Sequence, residues 1–244
     1  MKPFVLLATR PEDVVADDEY ASFLRLGGLS PRDLVRVRLE SSPMPPLDLD
    51  ACSGLIVGGS PFDASKPEEL KSPVQRRVES EMAQLLDEVV GRDFPFFGAC
   101  YGVGTLGVHQ GGVIDSTFAE PVSAVTIELT EDGRVDPLLA DLPPRFEAFV
   151  GHKEACRVLP PTATLLASSA TCPVQMFRVR KNLYATQFHP ELDVASIVTR
   201  INVYRNHGYF SPEETDAVIQ RVSNAEVSVA SRVLAAFVAR YARD

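Results

Sequence analysis

One cysteine of the chain stands in a segment that would make its thiol a nucleophile. Cys100 follows the apolar residues Phe96 and Phe97 and has Gly98 and Gly102 two positions away on either side, so the segment reads G-x-C-x-G. A sharp strand-to-helix turn of this kind exposes the nucleophile at its tip, and we expect both glycines to keep side chains out of the crowded turn. The helix expected after the cysteine presents a positive N-terminal end, which favours the thiolate. The pattern predicts a cysteine that attacks carbonyl carbon.

A second segment supplies the base that a thiol nucleophile needs. Residues 183–188 predict a short strand, and Pro190 cannot continue its hydrogen bonding, so His189 falls at the strand end, where active-site groups collect. Glu191 can turn back to the imidazole and fix its tautomer. Taken alone, Cys100 is more typical of a buried core thiol, because free cysteines are among the most buried residues. The elbow glycines together with His189 and Glu191 favour a catalytic triad.

In their order and spacing these segments resemble the class I glutamine amidotransferases, the family with a Cys-His-Glu triad. The resemblance covers roughly residues 1–195 and rests on G-A-C-Y-G at 98–102 and Q-F-H-P-E at 187–191. Three further segments agree with it: Gly58-Gly59-Ser60 resembles the oxyanion loop, Gly111-Gly112-Val113 the turn after the elbow helix, and residues 149–153 with Leu159-Pro160 the S-H-G-D…L-P segment. The helical extension looks like that of stand-alone, GMP-synthase-like members.

The resemblance implies a fold, a reaction and roles for individual residues. The fold is α/β: three layers, flavodoxin-like, with a mostly parallel central sheet, an antiparallel edge and a C-terminal helical extension. The reaction is hydrolysis of the glutamine side-chain amide through a Cys100 thioester, with ammonia released for a separate synthetase. His189 acts first as base and then as acid, and Glu191 orients it. The backbone N–H groups of Gly59 and Tyr101 form the oxyanion hole, as the chemistry of amide hydrolysis also suggests.

The expected substrate contacts include one departure from the family pattern. The family usually has a glutamine four residues after the cysteine, and this chain has Gly104, which removes a side-chain contact and opens space beside the amino-acid pocket. Backbone groups before His152 can still contact the amino-acid end of the substrate, and His152 itself fits either a structural hydrogen bond or a role in the site. The expected substrate-binding residues are therefore Gly58, Gly104, Val150, Gly151 and His152.

Composition limits the classes of function. The 244 residues carry a formal net charge of −9 with no basic cluster, which disfavours nucleic acid and anionic membranes as partners. No apolar run approaches the ~20 residues that span a bilayer, and the apolar start at residues 4–9 predicts a core strand and not a signal peptide. The four cysteines have no C-x-x-C spacing, so we expect a reduced cytoplasmic protein with no metal site. We expect no cofactor.

The order of apolar and polar segments predicts the elements that position the site. Strands are expected at 4–9, 34–40, 54–59 and 95–100, with helices near 16–27 and 70–90, an alternation typical of a parallel sheet covered on both faces. The sequence from 120 to 190 predicts short antiparallel strands, with hairpin turns at 131–133 and 180–182. Because ligands of such sheets bind at the carboxyl ends of strands, we expect Gly59 and Cys100 to share one site.

The last fifty residues predict helices. Ser211–Glu214 and the pair Ser223 and Glu226 each suggest a capping box, and an apolar stripe at helical spacing runs from Val227 to Tyr241. The stripe fits packing on the main domain or, alternatively, a docking face for a partner. We expect a class I glutamine amidotransferase domain at 1–195 and a helical extension at 196–244 that packs on the same domain.

Three other functions compete with a glutaminase. Residues 102–107 spell the dinucleotide pattern G-x-G-x-x-G, but Glu120 precedes the next strand where the pattern requires an acidic residue at its end, so we disfavour it. The space at Gly104 suggests a self-contained hydrolase of γ-glutamyl amides or peptides. A non-catalytic binding or regulatory protein with the same fold is the third alternative, and the intact triad disfavours it.

Overall fold

The computed structural model describes residues 1–207 and 210–244. Its strands are β1 (Phe4–Ala8), β2 (Leu34–Arg38), β3 (Gly54–Val57), β4 (Phe96–Ala99), β5 (Val113–Asp115), β6 (Glu120–Leu129), β7 (Arg145–His152), β8 (Ala155–Val158), β9 (Ala163–Ser168), β10 (Met176–Val179) and β11 (Leu183–Thr186). Its α-helices are α1 (Asp13–Gly27), α2 (Pro73–Gly91), α3 (Tyr101–His109), α4 (Glu131–Val135), α5 (Val194–Val203), α6 (Thr215–Ser223) and α7 (Ser231–Tyr241).

Nine of the strands form one sheet in the order β2-β1-β3-β4-β11-β10-β9-β6-β7, and β5 pairs with β8 separately. The five strands from β2 to β11 are parallel, and the pairs from β11 to β7 are antiparallel. The parallel part has the flavodoxin-like order 2-1-3-4-5 when β11 is counted as the fifth strand. The predicted α/β fold with an antiparallel edge is confirmed.

Two apolar cores, one on each face of the sheet, explain why the parallel strands are continuously hydrophobic. Alternate residues of β1 face opposite sides: Phe4 lies in the core with helices α1 and α7, and Val5 lies in the core with α2 and α3. The ring of Phe237 on α7 packs 6.0 Å from Phe4 and 5.3 Å from Phe97, centroid to centroid. The apolar stripe of α7 is therefore used inside the chain.

Several local expectations differ from the structure. Residues 131–133 begin helix α4 and do not form a hairpin turn, because the Thr130 hydroxyl accepts the N–H of Gly133 at 3.0 Å and caps the helix. The turn at 180–182 does join β10 to β11, with Arg180 at φ 51°. The expected first two helices begin at Asp13 and Pro73, and the expected strands are shorter by one to four residues.

Neither predicted capping box forms in the C-terminal part. The Ser211 hydroxyl contacts the side chain of Glu213 and does not cap the backbone, and Ser223 is the last residue of α6. Helix α5 crosses the expected boundary at residue 195, and the division into two domains stays a prediction. Among the described helices, none combines the length and the apolar character needed to cross a bilayer.

Candidate active site

The thiol of Cys100 lies at the junction between β4 and α3. Cys100 has φ 54° and ψ −80°, a backbone conformation that residues with a side chain rarely adopt and that is often found at functional sites. Its N–H donates to the carbonyl of Thr186 at 2.7 Å, which ties the elbow to β11. A Cβ on Gly98 would stand 2.5 Å from the Cα of Gly102, so Gly98 is required for the turn. A Cβ on Gly102 would meet nothing within 4 Å, so the expectation for that glycine is wrong.

His189 lies three residues beyond the end of β11, where its N–H donates to the carbonyl of Phe149 at 2.9 Å. Its Nδ1 is 2.7 Å from Oε1 of Glu191, and the Glu191 side chain is fully buried. Because that carboxylate can only accept, Nδ1 carries the proton and Nε2 is left free to take one. His189 and Cys100 line the same pocket, so the structure brings the three predicted catalytic residues together.

A buried network of four charged groups supports the imidazole and its carboxylate. Nη2 of Arg200, on α5, lies 3.1 Å from Oε1 of Glu191 and 3.2 Å from Oε1 of Glu19. Nε of Arg10 donates to the same Glu19 oxygen at 2.9 Å. All four side chains are at most 6% exposed, and their formal charges cancel. With Nδ1 of His189 protonated toward Glu191, the nearby Arg200 nitrogen bonds the carboxylates and not the ring.

The surroundings set the charge states of the triad. Burial acts to raise the pKa of Glu191, but the charges of His189 and Arg200 and the hydrogen bonds outweigh it and lower the pKa to about 2. Burial lowers the pKa of His189 more than Glu191 raises it, so the ring is a neutral base at pH 7. Burial also raises the pKa of Cys100 to about 12, against the opposing charges of Arg10 and Arg200. The expected resting thiolate is therefore wrong: burial outweighs the helix N-terminus, and the thiol keeps its proton until His189 removes it.

The predicted oxyanion hole needs a correction at Gly59. Its N–H donates to Oε1 of Glu19 at 3.2 Å, so this donor is already in use. Gly58 is also directed away from the thiol: its N–H donates to Leu7 in the sheet, and a Cβ there would stand 2.6 Å from a Glu19 oxygen. Tyr101 begins α3, and its N–H is one of the donors that a helix start leaves without an intrahelical partner.

Two pockets meet at Cys100, and we name them by their linings. The polar pocket encloses about 370 Å³ and includes Tyr101, Gly104, Lys153, Glu154 and Gln187. The apolar pocket encloses about 470 Å³, counting the solvent at its mouth, and includes His189; its apolar side chains are Val122, Val150, Leu192, Ile197, Ile201 and Phe210. Ser60, Cys100 and Gly151 line both.

The space expected beside Gly104 is occupied. A Cβ on Gly104 would lie 3.0 Å from the Cβ of Ala64 and 3.2 Å from Oε1 of Glu154. The two oxygens of Glu154 accept the N–H groups of Ala64 and Ser65 at 2.7 Å each, which fastens the loop after Gly59 over the polar pocket. Burial raises the pKa of this carboxyl group. A glutamine at position 104 is thus replaced by a carboxylate that comes from another strand connection.

The remaining predicted substrate contacts have mixed outcomes. Val150 lines the apolar pocket, and Gly151 and His152 line the polar pocket. Both ring nitrogens of His152 are engaged, Nδ1 with the Glu154 carbonyl at 2.9 Å and Nε2 with Glu120 at 2.8 Å. The ring of His152 therefore holds the strand connection in place, which is the structural alternative of the two considered.

Sequence reasoning missed five residues of the site: Arg10, Glu19, Glu154, Gln187 and Arg200. Nε2 of Gln187 lies 3.9 Å from Sγ of Cys100, and its buried Oε1 has no hydrogen-bond partner among the described residues. Arg10 had one available signal, its place just beyond the carboxyl end of β1. Across residues 1–207 and 210–244, no group of three or more His, Cys, Asp or Glu side chains is placed to hold a metal ion. The 102–107 glycine pattern falls almost wholly within α3.

Comparisons with known proteins agree with this geometry. The family model "Glutamine amidotransferase class-I" matches residues 33–197. A separately encoded chain of the glutamine-hydrolyzing GMP synthase of Thermoplasma volcanium is 28% identical over 178 residues, which cover 72% of this chain and 80% of that protein. Its counterpart in Methanothrix thermoacetophila is 28% identical over 180 residues, covering 73% and 88%. A glutamine amidotransferase structure from Thermotoga maritima superposes with a TM-score of 0.77 at 19% identity and covers 99% of this chain and 98% of its own.

Proposed function

The chain belongs to the class I glutamine amidotransferases, and from that premise we propose that it hydrolyses the side-chain amide of glutamine through a Cys100 thioester and releases ammonia. The observation that carries the proposal is the buried contact between Nδ1 of His189 and Glu191, in a pocket that also contains the Cys100 thiol. It leaves Nε2 as a neutral base beside a protonated thiol, which is what nucleophilic attack on an amide requires.

Acylation begins when Nε2 of His189 takes the proton of Cys100 as Sγ attacks the γ-carbonyl carbon. The imidazolium that forms is stabilised by Glu191, which the charge of Arg200 helps to keep ionised. The ring then gives its proton to the leaving nitrogen, the C–N bond breaks and ammonia departs. Water attacks the thioester by the reverse proton route, which releases glutamate and restores the thiol.

The tetrahedral oxyanion needs two N–H donors, and we assign them to Tyr101 and Ser60. Tyr101 follows the nucleophile at the start of α3, where a helix N-terminus favours negative charge. Ser60 replaces Gly59 in this role because it lines both pockets at Cys100, while the N–H of Gly59 is bonded to Glu19. Loss of one such donor costs about 3–4 kcal/mol of transition-state stabilisation.

We assign the amino-acid end of glutamine to the polar pocket. Lys153 and Glu154 both line this pocket and carry the charges opposite to those of the α-carboxylate and the α-ammonium. A carboxylate has about four lone-pair sites, so Glu154 can accept a further donor while it holds Ala64 and Ser65. The backbone of Gly151 borders the same space.

We further propose that the ammonia serves a separate synthetase and that the reaction takes place in the cytoplasm. Two relatives are named as one of the subunits of a glutamine-hydrolyzing GMP synthase, a name that implies another subunit for the synthetase step. All four cysteines of the described chain are free thiols, as expected in a reducing compartment.

Ammonia and glutamate release from glutamine by the purified protein tests the proposal, with Cys100→Ser, His189→Ala and Cys52→Ser measured beside the wild type. Ammonia and glutamate should form in equal amounts, and the first two variants should lose activity by a factor of about 10³ or more. Cys52→Ser is the matched control, since Cys52 lies in the core away from both pockets. Absence of ammonia from the wild type, or an unchanged rate in Cys100→Ser, would contradict the proposal.

A further inference from the structure

The apolar pocket beside His189 is larger than the release of ammonia requires. Ammonia is close in size to water, whose share of liquid volume is about 30 Å³, and the pocket encloses about 470 Å³. Its lining is mostly aliphatic and aromatic, which favours apolar groups over a small polar molecule. The pocket also opens directly on Cys100, so whatever fills it lies beside the bond that the thiol cleaves.

Part of the pocket wall comes from a segment that the family match does not include. The match ends at residue 197, and Ile201, Tyr204 and Phe210 of the pocket lie beyond it. Ile201 lies on α5, which the hydrogen bond from its N-cap Asp193 begins and which packs against β6, β7 and α6 in a third apolar cluster. The pocket is thus built by the C-terminal helices of this chain.

The two pockets divide a bound amide between them. In acyl transfer the acid that protonates the leaving nitrogen stands on the leaving-group side, and here His189 lines only the apolar pocket. Tyr101, the oxyanion donor, and Glu154, the partner of the amino-acid end, line only the polar pocket. The γ-glutamyl half therefore lies in the polar pocket, and the substituent on the departing nitrogen lies in the apolar pocket.

We propose that the chain also hydrolyses γ-glutamyl amides of apolar primary amines, with the alkyl or aryl group of the amine in the apolar pocket. The inference rests on the proposed function, because the same acyl-enzyme is formed. A bond forms between Sγ of Cys100 and the γ-carbonyl carbon, the C–N bond breaks, and the thiol proton passes through His189 to the nitrogen, which leaves as the free amine. Water then adds to the thioester carbon, the C–S bond breaks and the proton returns to Sγ, giving glutamate.

The charges at the pocket favour an uncharged amine substituent over an amino acid. The guanidinium groups of Arg10 and Arg200 reach this pocket, but Glu19 and Glu191 balance them at 2.9 to 3.2 Å. A γ-glutamyl peptide would bring a carboxylate into a largely apolar space that offers no unbalanced cation for it, and burying it there is costly. The geometry therefore favours alkylamides over γ-glutamyl peptides.

A homologous series of γ-glutamyl alkylamides, from methyl to butyl, tests the inference with glutamine and γ-glutamylglycine beside it. Each methylene that leaves water should raise kcat/KM about fourfold, the factor that corresponds to ~0.8 kcal/mol per buried CH₂. Values that stay flat or fall along the series, or a preference for γ-glutamylglycine over the butylamide, would overturn the inference. Turnover of glutamine in that case would leave the proposed function standing, whereas no turnover of glutamine would count against the function itself.

A variant of the pocket wall provides the second readout. Phe210→Ala removes a partly exposed ring from the pocket and should flatten the rise of kcat/KM with chain length. Ile219→Ala is the matched control, because Ile219 packs in the same apolar cluster but does not line the pocket. Both proteins should unfold cooperatively, which shows that they are folded. An equal slope in Phe210→Ala and in the control would overturn the assignment of the pocket.

Discussion

Replacement of Arg200 by methionine should destabilise the protein strongly, because it leaves two buried carboxylates with one guanidinium. Arg200 is 5% exposed, and its Nη2 lies 3.1 Å from Glu191 and 3.2 Å from Glu19. Arg10, 2.9 Å from Glu19, remains the one cation of the four-membered network. Removal of one partner from a buried ion pair costs about 3–5 kcal/mol, since the remaining charge is left uncompensated.

The charge state of Glu191 gives a second measure of the same effect. Its pKa is lowered from 4.5 to about 2, which at 1.36 kcal/mol per pKa unit corresponds to roughly 3 kcal/mol in favour of the ionised form. Burial opposes this shift, and Arg200 and His189 supply it. Arg200 is also among the groups that lower the pKa of His189, so Arg200→Met should move the acid limb of the pH–rate profile to higher pH.

The assay is a double-mutant cycle with Glu19→Gln, measured by urea unfolding at pH 7. Removing one negative charge restores the balance, so the double variant should be less destabilised than the sum of the single variants by about 2 kcal/mol or more. Arg25→Met is the control, because Arg25 pairs with Asp193 at the surface, where such pairs contribute about 0–1 kcal/mol. Additivity of the two replacements to within ~0.5 kcal/mol would refute the network.

Three further predictions concern the elbow and the loop above it. Gly98→Ala brings a Cβ within 2.5 Å of backbone at Gly102 and should cost at least about 1–3 kcal/mol in thermal unfolding with loss of activity, while Gly91→Ala, with no atom within 4 Å, should be close to neutral; similar results for the two would contradict the elbow geometry. Because the pKa of Cys100 is about 12, its alkylation by iodoacetamide should accelerate about tenfold per pH unit from pH 7 to 9, and a plateau in this range would indicate a thiolate instead. Glu154→Gln weakens the hold on the loop and should lower kcat/KM for glutamine about 10–100-fold with folding intact; an unchanged value would remove Glu154 from the substrate site.

The residues that sequence reasoning located correctly are those whose geometry is set locally. Cys100 lies between a strand end and a helix start with Gly98 beside it, and Glu191 is two residues from His189, so short segments were sufficient. The charged network was not predictable in this way. Arg200 and Glu19 are separated by 181 positions, and no local pattern indicates that they meet.

Two local errors have the same cause: a contact from elsewhere decides the outcome. The glycine pair at 58–59 matches an oxyanion loop, but the carboxylate of Glu19 on α1 takes the N–H of Gly59. Gly104 reads as an open position, but Glu154 and the loop that it holds fill the space. In both cases a side chain from a distant segment changes the role of a backbone position.

The most direct test of the account is acid-quenched mass spectrometry of the wild-type protein mixed with excess glutamine, followed by peptide mapping. The account predicts a γ-glutamyl thioester on Cys100, absent from the other three cysteines and lost in Cys100→Ser. Accumulation of ammonia and glutamate without an adduct on Cys100, or an adduct on a different cysteine, would contradict it.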